Sequence, residues 1–305
     1  MPKLRLLLSL VTKNNDYQVE QAAAAQATAQ NLDVDLQLIY AESDTITQST
    51  QLLRVIQSDP SLRPDAILFE PVGGTALPQV GRAAVSAGIA WCVLNNDAEY
   101  IPDLRREAKV PVFSVSSDHR EIGRIQARQY SALIPRGGSV LYIQGPSDNI
   151  AAKGRVAGMH SSLPTNIHVN VLRGQWTEES AVRSVSSWLK LTVANKARID
   201  VIGAQNDAMA MGARKVFESL PDSDERDRWL ALPFLGVDGL PKTGQAWVRN
   251  GSLAATIVIP PNAPLGVELM HRALQNGIKP PERSFTEPES FPPLERLAPQ
   301  PQTAS

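Results

Sequence analysis

Short apolar runs alternate with helix-patterned stretches along almost the whole chain, and that alternation is what most restricts its fold. Leu4–Val11 is dense in leucine, as a strand covered on both faces should be. An alanine-rich helical stretch, Gln18–Asn31, follows, and Val34–Tyr40 begins with strand alternation. The pattern predicts a helix over Thr45–Ser58, a strand at Ala66–Phe69, a helix over Leu77–Ala87 and a strand at Ala90–Leu94. Asn95–Pro111 interrupts it with charged residues and is expected to be a polar break. The alternation resumes with strands at Val112–Val115, Ser139–Gln144, Ile167–Leu172, Val201–Ala204, Phe234–Val237 and Ala254–Val258. Helices are expected between them over Glu121–Leu133, Ala151–Ser162, Glu178–Thr192 and Ala208–Leu220, with a last helix at Pro264–Asn276. A strand-helix-strand repeat implies parallel sheets with helices on both faces. At 305 residues the chain exceeds what one core usually serves. The expectation is therefore an α/β fold of two Rossmann-like, doubly wound parallel-sheet lobes.

Composition removes several functions. The net charge of −1 supplies no basic field for nucleic acid or a membrane surface. No run approaches the roughly 18 apolar residues of a membrane span, so no membrane insertion is expected. The single cysteine, Cys92, lies in an apolar run and reads as a buried strand residue. The N-terminal apolar run is short, Lys13 follows it, and it reads as the first strand rather than an export signal. On that reading the chain is cytoplasmic as encoded unless a signal was trimmed.

In open parallel sheets ligands bind outside the carboxyl ends of the strands. The residues there include Asn14-Asn15-Asp16-Tyr17, Asn95-Asn96, Gly145–Asn149, Gln175-Trp176, Gln205-Asn206-Asp207 and Asp238-Gly239, with Arg155 on a following helix. Amides and carboxylates pair with hydroxyls that both donate and accept. Planar Arg forks across two oxygens, and Tyr or Trp stacks on the apolar face of a sugar ring. Each position alone also suits a turn or helix cap; their recurrence at successive strand ends points to a site for a polyhydroxylated ligand.

Several segments resemble the type 1 periplasmic binding proteins, in particular the ribose- and glucose/galactose-binding proteins of bacterial ABC importers. The strongest is Ala204–Ala213, with Gly236–Gly239, Gly251–Ile257 and Ser116-Ser117-Asp118 with Gly123 in the expected order. The resemblance covers roughly residues 4–280. It implies one sugar bound in a cleft between two lobes joined by a three-segment hinge that closes on the ligand. The implied lobes are 1–113 plus about 259–284, and about 114–258 plus about 285–292, leaving 293–305 as a loosely ordered tail. The implied ligand residues are Asn15, Tyr17, Gln18, Asn95, Asn96, Arg155, Trp176, Asn206 and Asp238. Tyr17 and Trp176 would sandwich the ring, and Arg155 would grip a ring oxygen or hydroxyl. The implied partners are an ABC permease or a sensor protein, with the chain acting as a monomer and with no cofactor. Departures leave the sugar undefined. Ile259 stands where relatives use Gln or Asn, Gln18 replaces a second stacking aromatic, and Asn95-Asn96 replaces the acid–base pair of ribose binders. Asn149 and Ala151 differ from the residues beside the same arginine in glucose/galactose binders. Pro135–Gly138 is a plain turn where those binders carry a calcium loop, so no metal is expected.

Catalysis has little to rest on. No nucleophile elbow, Walker loop or dinucleotide fingerprint is present. His119, His160, His168 and His271 are scattered and read as surface or cap residues. Asp207 and Asp238 read as hydrogen-bonding and capping groups rather than a glycosidase pair. A repressor of the same core would carry an N-terminal helix-turn-helix, whereas this chain starts on its first strand. A cytoplasmic sugar sensor that passes ligand state to a kinase or regulator is the alternative reading.

Overall fold

The computed structural model describes residues 3–73, 76–96, 98–191 and 198–299. The chain divides into two compact units, 1–117 with 260–287 and 118–259 with 288–305.

The first unit is built on a six-stranded sheet: β1 (Arg5–Leu10), β2 (Asp35–Tyr40), β3 (Ala66–Phe69), β4 (Ala90–Leu94), β5 (Val112–Ser117) and a late edge strand, β11 (Arg283–Thr286). The order is β11-β5-β4-β3-β1-β2, with every pairing parallel. Strand periodicity sorts β1 between two cores. Leu6, Leu8 and Leu10 join Ala22, Ala25, Leu68 and Val267 on one face, while Leu7 joins Leu52, Phe69 and Trp91 on the other. β1 is thus apolar nearly throughout because both faces are covered. Helix α1 (Asp16–Asn31) starts two residues before the expected Gln18, where Asn15 Oδ1 accepts the Gln18 N–H as an N-cap.

The second unit carries a four-stranded parallel sheet in the order β7-β6-β8-β9, from β6 (Gly138–Gln144), β7 (Ile167–Arg173), β8 (Val201–Ala204) and β9 (Phe234–Leu235). β10 (Thr256–Val258) and β12 (Glu289–Phe291) form a separate antiparallel pair. Leu141 and Ile143 of β6 face a core with Met209 and Phe217, and Val140 and Tyr142 face one with Tyr130 and Met159.

Four expectations need correction. The stretch 95–111 contains a helix, Ile101–Glu107, whose Ile101 and Leu104 are buried in the first unit's core. Its i, i+3 apolar pair is hidden in the sequence by Asp103, Arg105, Arg106 and Glu107. The segment 293–305 is not loose where it is described, to 299: Leu294–Arg296 forms a 3-10 turn and Leu297 packs on the second unit's core. Residues 300–305 lie outside the described residues, as does Thr192, the expected end of the helix now seen at Glu178–Leu189. His119 is buried, in the first turn of α5 (His119–Leu133) and against Gly154, rather than on the surface. The expected break at 113/114 falls inside β5, which stays whole in the first unit.

Candidate functional site

In a doubly wound sheet the strand order reverses at one point, and the loops diverging there open a crevice at the carboxyl ends. In the first unit the reversal lies between β1 and β3; in the second it lies between β6 and β8. Polar side chains collect at both.

At the first unit's reversal the central group is Glu70, the residue after β3, whose N–H donates to Ser9 O of β1. Its carboxyl is buried. Asn95 Nδ2 donates to Oε1 at 2.9 Å and Gln21 Nε2 to Oε2 at 3.4 Å, and Gln18 also bonds it. Burial pushes the acid above its ordinary range, and the bonds from Asn95, Gln18 and Gln21 pull it part of the way back. No cation holds it among the described residues. Asn95 takes a left-handed backbone (φ 53°), which Asn tolerates better than most residues, and this turns its amide inward from the end of β4. Asn95 Oδ1 accepts from Asn262 Nδ2 at 3.3 Å, and the same nitrogen lies 3.3 Å from Tyr17 Oη.

Three of the five residues expected in this unit, Tyr17, Gln18 and Asn95, therefore fall into one network. Tyr17 and Asn95 are joined by Asn262, and Asn95 and Gln18 meet at Glu70. Gln18 Oε1 also accepts from Val11 N at 2.9 Å. Asn15 spends its Oδ1 on the cap of α1. Asn96 is buried, and its Oδ1 meets no hydrogen-bond donor among the described residues.

In the second unit Arg155 sits on α6 (Ile150–Ser162), which Asn149 caps through Ala152 N at 3.1 Å. Helices α5 and α6 approach closely at two glycines: a Cβ on Gly123 would lie 2.0 Å from Arg155 O, and one on Gly158 would lie 1.9 Å from Arg120 O. This contact sets how far α6 reaches and hence where Arg155 lies. Arg155 is buried; it donates to Gln205 O, and its guanidinium carbon lies 5.3 Å from the Trp176 ring centre. Trp176 has a positive φ of 64° and is half-buried. Its carbonyl accepts from Asn206 Nδ2 at 2.9 Å, while Asn206 Oδ1 caps the helix Asp207–Glu218 through Met209 N at 2.9 Å. Asn206 thus binds the Trp176 loop to a helix start. Asp238 is half-buried, with φ 111°. Its backbone is pinned on both sides, N–H to Ile257 O and C=O from Ile259 N.

Asp207, beside it, is buried and internally satisfied. Oδ1 accepts from Thr256 Oγ1 at 2.6 Å and Oδ2 from Gly239 N at 2.8 Å. Burial first, and the nearby Asp238 second, push its carboxyl well above the ordinary range, against the pull of those bonds and of Arg155. Among the described residues no three His, Cys, Asp or Glu side chains are placed to hold a metal ion.

Sequence reasoning passed over Glu70, Gln21 and Asn262. Glu70 had an available signal, since it directly follows a strand.

The periplasmic binding protein domain family matches residues 6–278. The chain belongs to that family. The ribose import binding protein of Escherichia coli is 25% identical over 279 residues, covering 90% of this chain and 86% of that protein. A putative rhizopine-binding protein of Rhizobium meliloti is 28% identical over 191 residues, 61% of this chain; the match spans 58% of the relative's length. Among solved structures, an ABC transporter periplasmic solute-binding protein from Actinobacillus succinogenes with bound D-allose superposes with a TM-score of 0.79 at 23% identity, covering 94% of this chain and 97% of that one. At that identity the likeness speaks for the fold. No helix among the described residues is long and apolar enough to cross a membrane.

Proposed function

We propose that this chain binds a monosaccharide or related polyol through polar groups at its strand ends, as the solute-binding component of a carbohydrate ABC importer. The observation that carries the reading is the chemistry at the two sheet reversals. One presents Glu70, Asn95, Asn96, Gln18 and Tyr17, and the other Arg155 beside Trp176 with Asp238 near. Such a set of carboxyls, amides, one guanidinium and two aromatics matches hydroxyls that donate and accept around a ring with an apolar face. Buried polar groups of this kind also exclude ligands that leave them unpaired. The names of the relatives, which include ribose import and solute binding for an ABC transporter, agree with it. An ABC permease is the partner this reading assigns, and the outer side of the cytoplasmic membrane is its place of work. Binding without turnover is the role, since Asp207 has both oxygens engaged by its own fold.

A thermal-shift screen of pentoses, hexoses and cyclic polyols against amino acids and nucleosides tests this. Ligands that bind the native state alone raise the melting temperature by mass action. At least one sugar or polyol is expected to raise it. A shift with amino acids or nucleosides and none with sugars overturns the assignment.

A further inference from the structure

The chain passes between its units three times: after Ser117, before Pro260 and after Glu287. One fully buried side chain, Asn262, bonds beside all three. It lies just past the second passage, at the start of the helix Asn262–Asn276. Its Nδ2 lies 3.5 Å from Ser117 Oγ, the last residue before the first passage. Its Oδ1 accepts from Thr286 Oγ1 at 3.1 Å, next to the third, and the two hydroxyls lie 3.3 Å from each other. The same Nδ2 also faces Tyr17 Oη and Asn95 Oδ1, both at 3.3 Å.

A carboxamide nitrogen has two protons. Here it faces three acceptors, at distances near the long end for hydrogen bonds. It can donate to only two of them at a time. A hydroxyl donated to Asn95 Oδ1 or Tyr17 Oη by a ligand releases an N–H of Asn262 for Ser117. The amide is held from the other side by one bond, donated by the Thr286 hydroxyl to Oδ1, while Asn95 Oδ1, which can only accept, keeps Nδ2 on its own side.

We propose that Asn262 is a positioning residue: held by Thr286, it sets the placement of Tyr17 and Asn95 and ties that placement to the segments where the chain passes between units. Its effect on ligand affinity rests on the sugar-binding reading; its effect on Asn95 does not.

Thr286→Val tests this, because it removes the hydroxyl while keeping the shape and leaves every candidate ligand residue intact. In the ligand-free protein, the Asn95 side-chain N–H resonances in a nitrogen-15 spectrum, assigned by their loss in Asn95→Ala, are expected to shift and to exchange with water about tenfold faster, the scale of one lost hydrogen bond. Thr286→Ser keeps the hydroxyl and is expected to restore wild-type behaviour. In calorimetric titrations with D-ribose, D-allose and myo-inositol, Thr286→Val is expected to weaken whichever probe binds by about tenfold, and the loss is expected to be absent in an Asn95→Ala background. Unchanged Asn95 resonances, or a Thr286→Ser variant that behaves as Thr286→Val, overturns the proposal. So does a loss that adds in full to that of Asn95→Ala. If Thr286→Val does not fold, Asn262→Asp, which keeps the acceptor and removes both N–H groups, is read by the same spectrum. Failure of all three probes to bind the wild type counts against the sugar reading, while the ligand-free spectrum still decides the role of Asn262.

Discussion

Arg155→Ala is expected to weaken sugar binding by about 2–5 kcal/mol, roughly a 30-fold to 4,000-fold rise in Kd. The size follows from burial. Arg155 is 5% exposed, so its guanidinium has exchanged most of its water for partners supplied by the protein and, in the proposed role, by the ligand. Removing it leaves ligand oxygens facing a cavity in which no donor of the same reach replaces it. The helix that carries it is held by its own cap at Asn149 and by the glycine contact with α5, so α6 itself is expected to stay in place. The fold should therefore survive while affinity falls. Calorimetry on wild type and variant, with the sugar found by screening, measures this directly. An affinity unchanged within twofold would remove Arg155 from the site.

The second large effect concerns stability. Asp207→Ala is expected to destabilise the second unit by about 3–5 kcal/mol. Asp207 receives the Thr256 hydroxyl and the Gly239 N–H, and its own N–H donates to Val237 O. It therefore binds a helix start to β10 and to the loop after β9. Truncation strands two buried donors and opens a hole. For a unit of this size the loss corresponds to a melting temperature lower by about 10 °C.

The pH profile carries a sign that separates charge from packing. Because the folded protein holds the Asp207 proton to higher pH than the unfolded chain, whose ordinary value is 3.8, this group's contribution falls as pH rises from there through the folded value. Asp207→Asn cannot ionise, so its stability should lack that decline. Calorimetric melting of wild type and both variants across pH 4–8 reads both effects. A melting temperature for Asp207→Ala within 2 °C of wild type would contradict the role assigned here.

How far the sequence carries the fold depends on how local the cause is. β1, β3 and β4 show in sequence because both faces are covered and each run is apolar. Asn15, Asn149 and Asn206 show because a cap is a contact over three residues. The helix Ile101–Glu107 is concealed because its buried face is one turn long and its other faces are charged. Glu70 and Asn262 take their meaning from far along the chain. Glu70 is met by residues 25 and 49 positions away, and Asn262 by residues as distant as Tyr17, 245 positions away. No spacing rule reaches that far. The order of the strands does reach it, since it puts β1 beside β3 and so brings the first turns of α1, with Gln18 and Gln21, to Glu70. The family resemblance supplied Arg155, Trp176 and Asp238 as a set; strand-end reasoning supplied them only singly, Trp176 and Asp238 after strands and Arg155 on a following helix.

The most direct test of sugar binding at the strand ends is the crystal structure of the protein with the sugar or polyol that raises its melting temperature most. The account predicts hydrogen bonds between the ligand and strand-end groups among Arg155, Asp238, Asn95 and Glu70, with an aromatic ring of Tyr17 or Trp176 against the ligand's apolar face. A ligand bound elsewhere, or one that touches none of these residues, would contradict it.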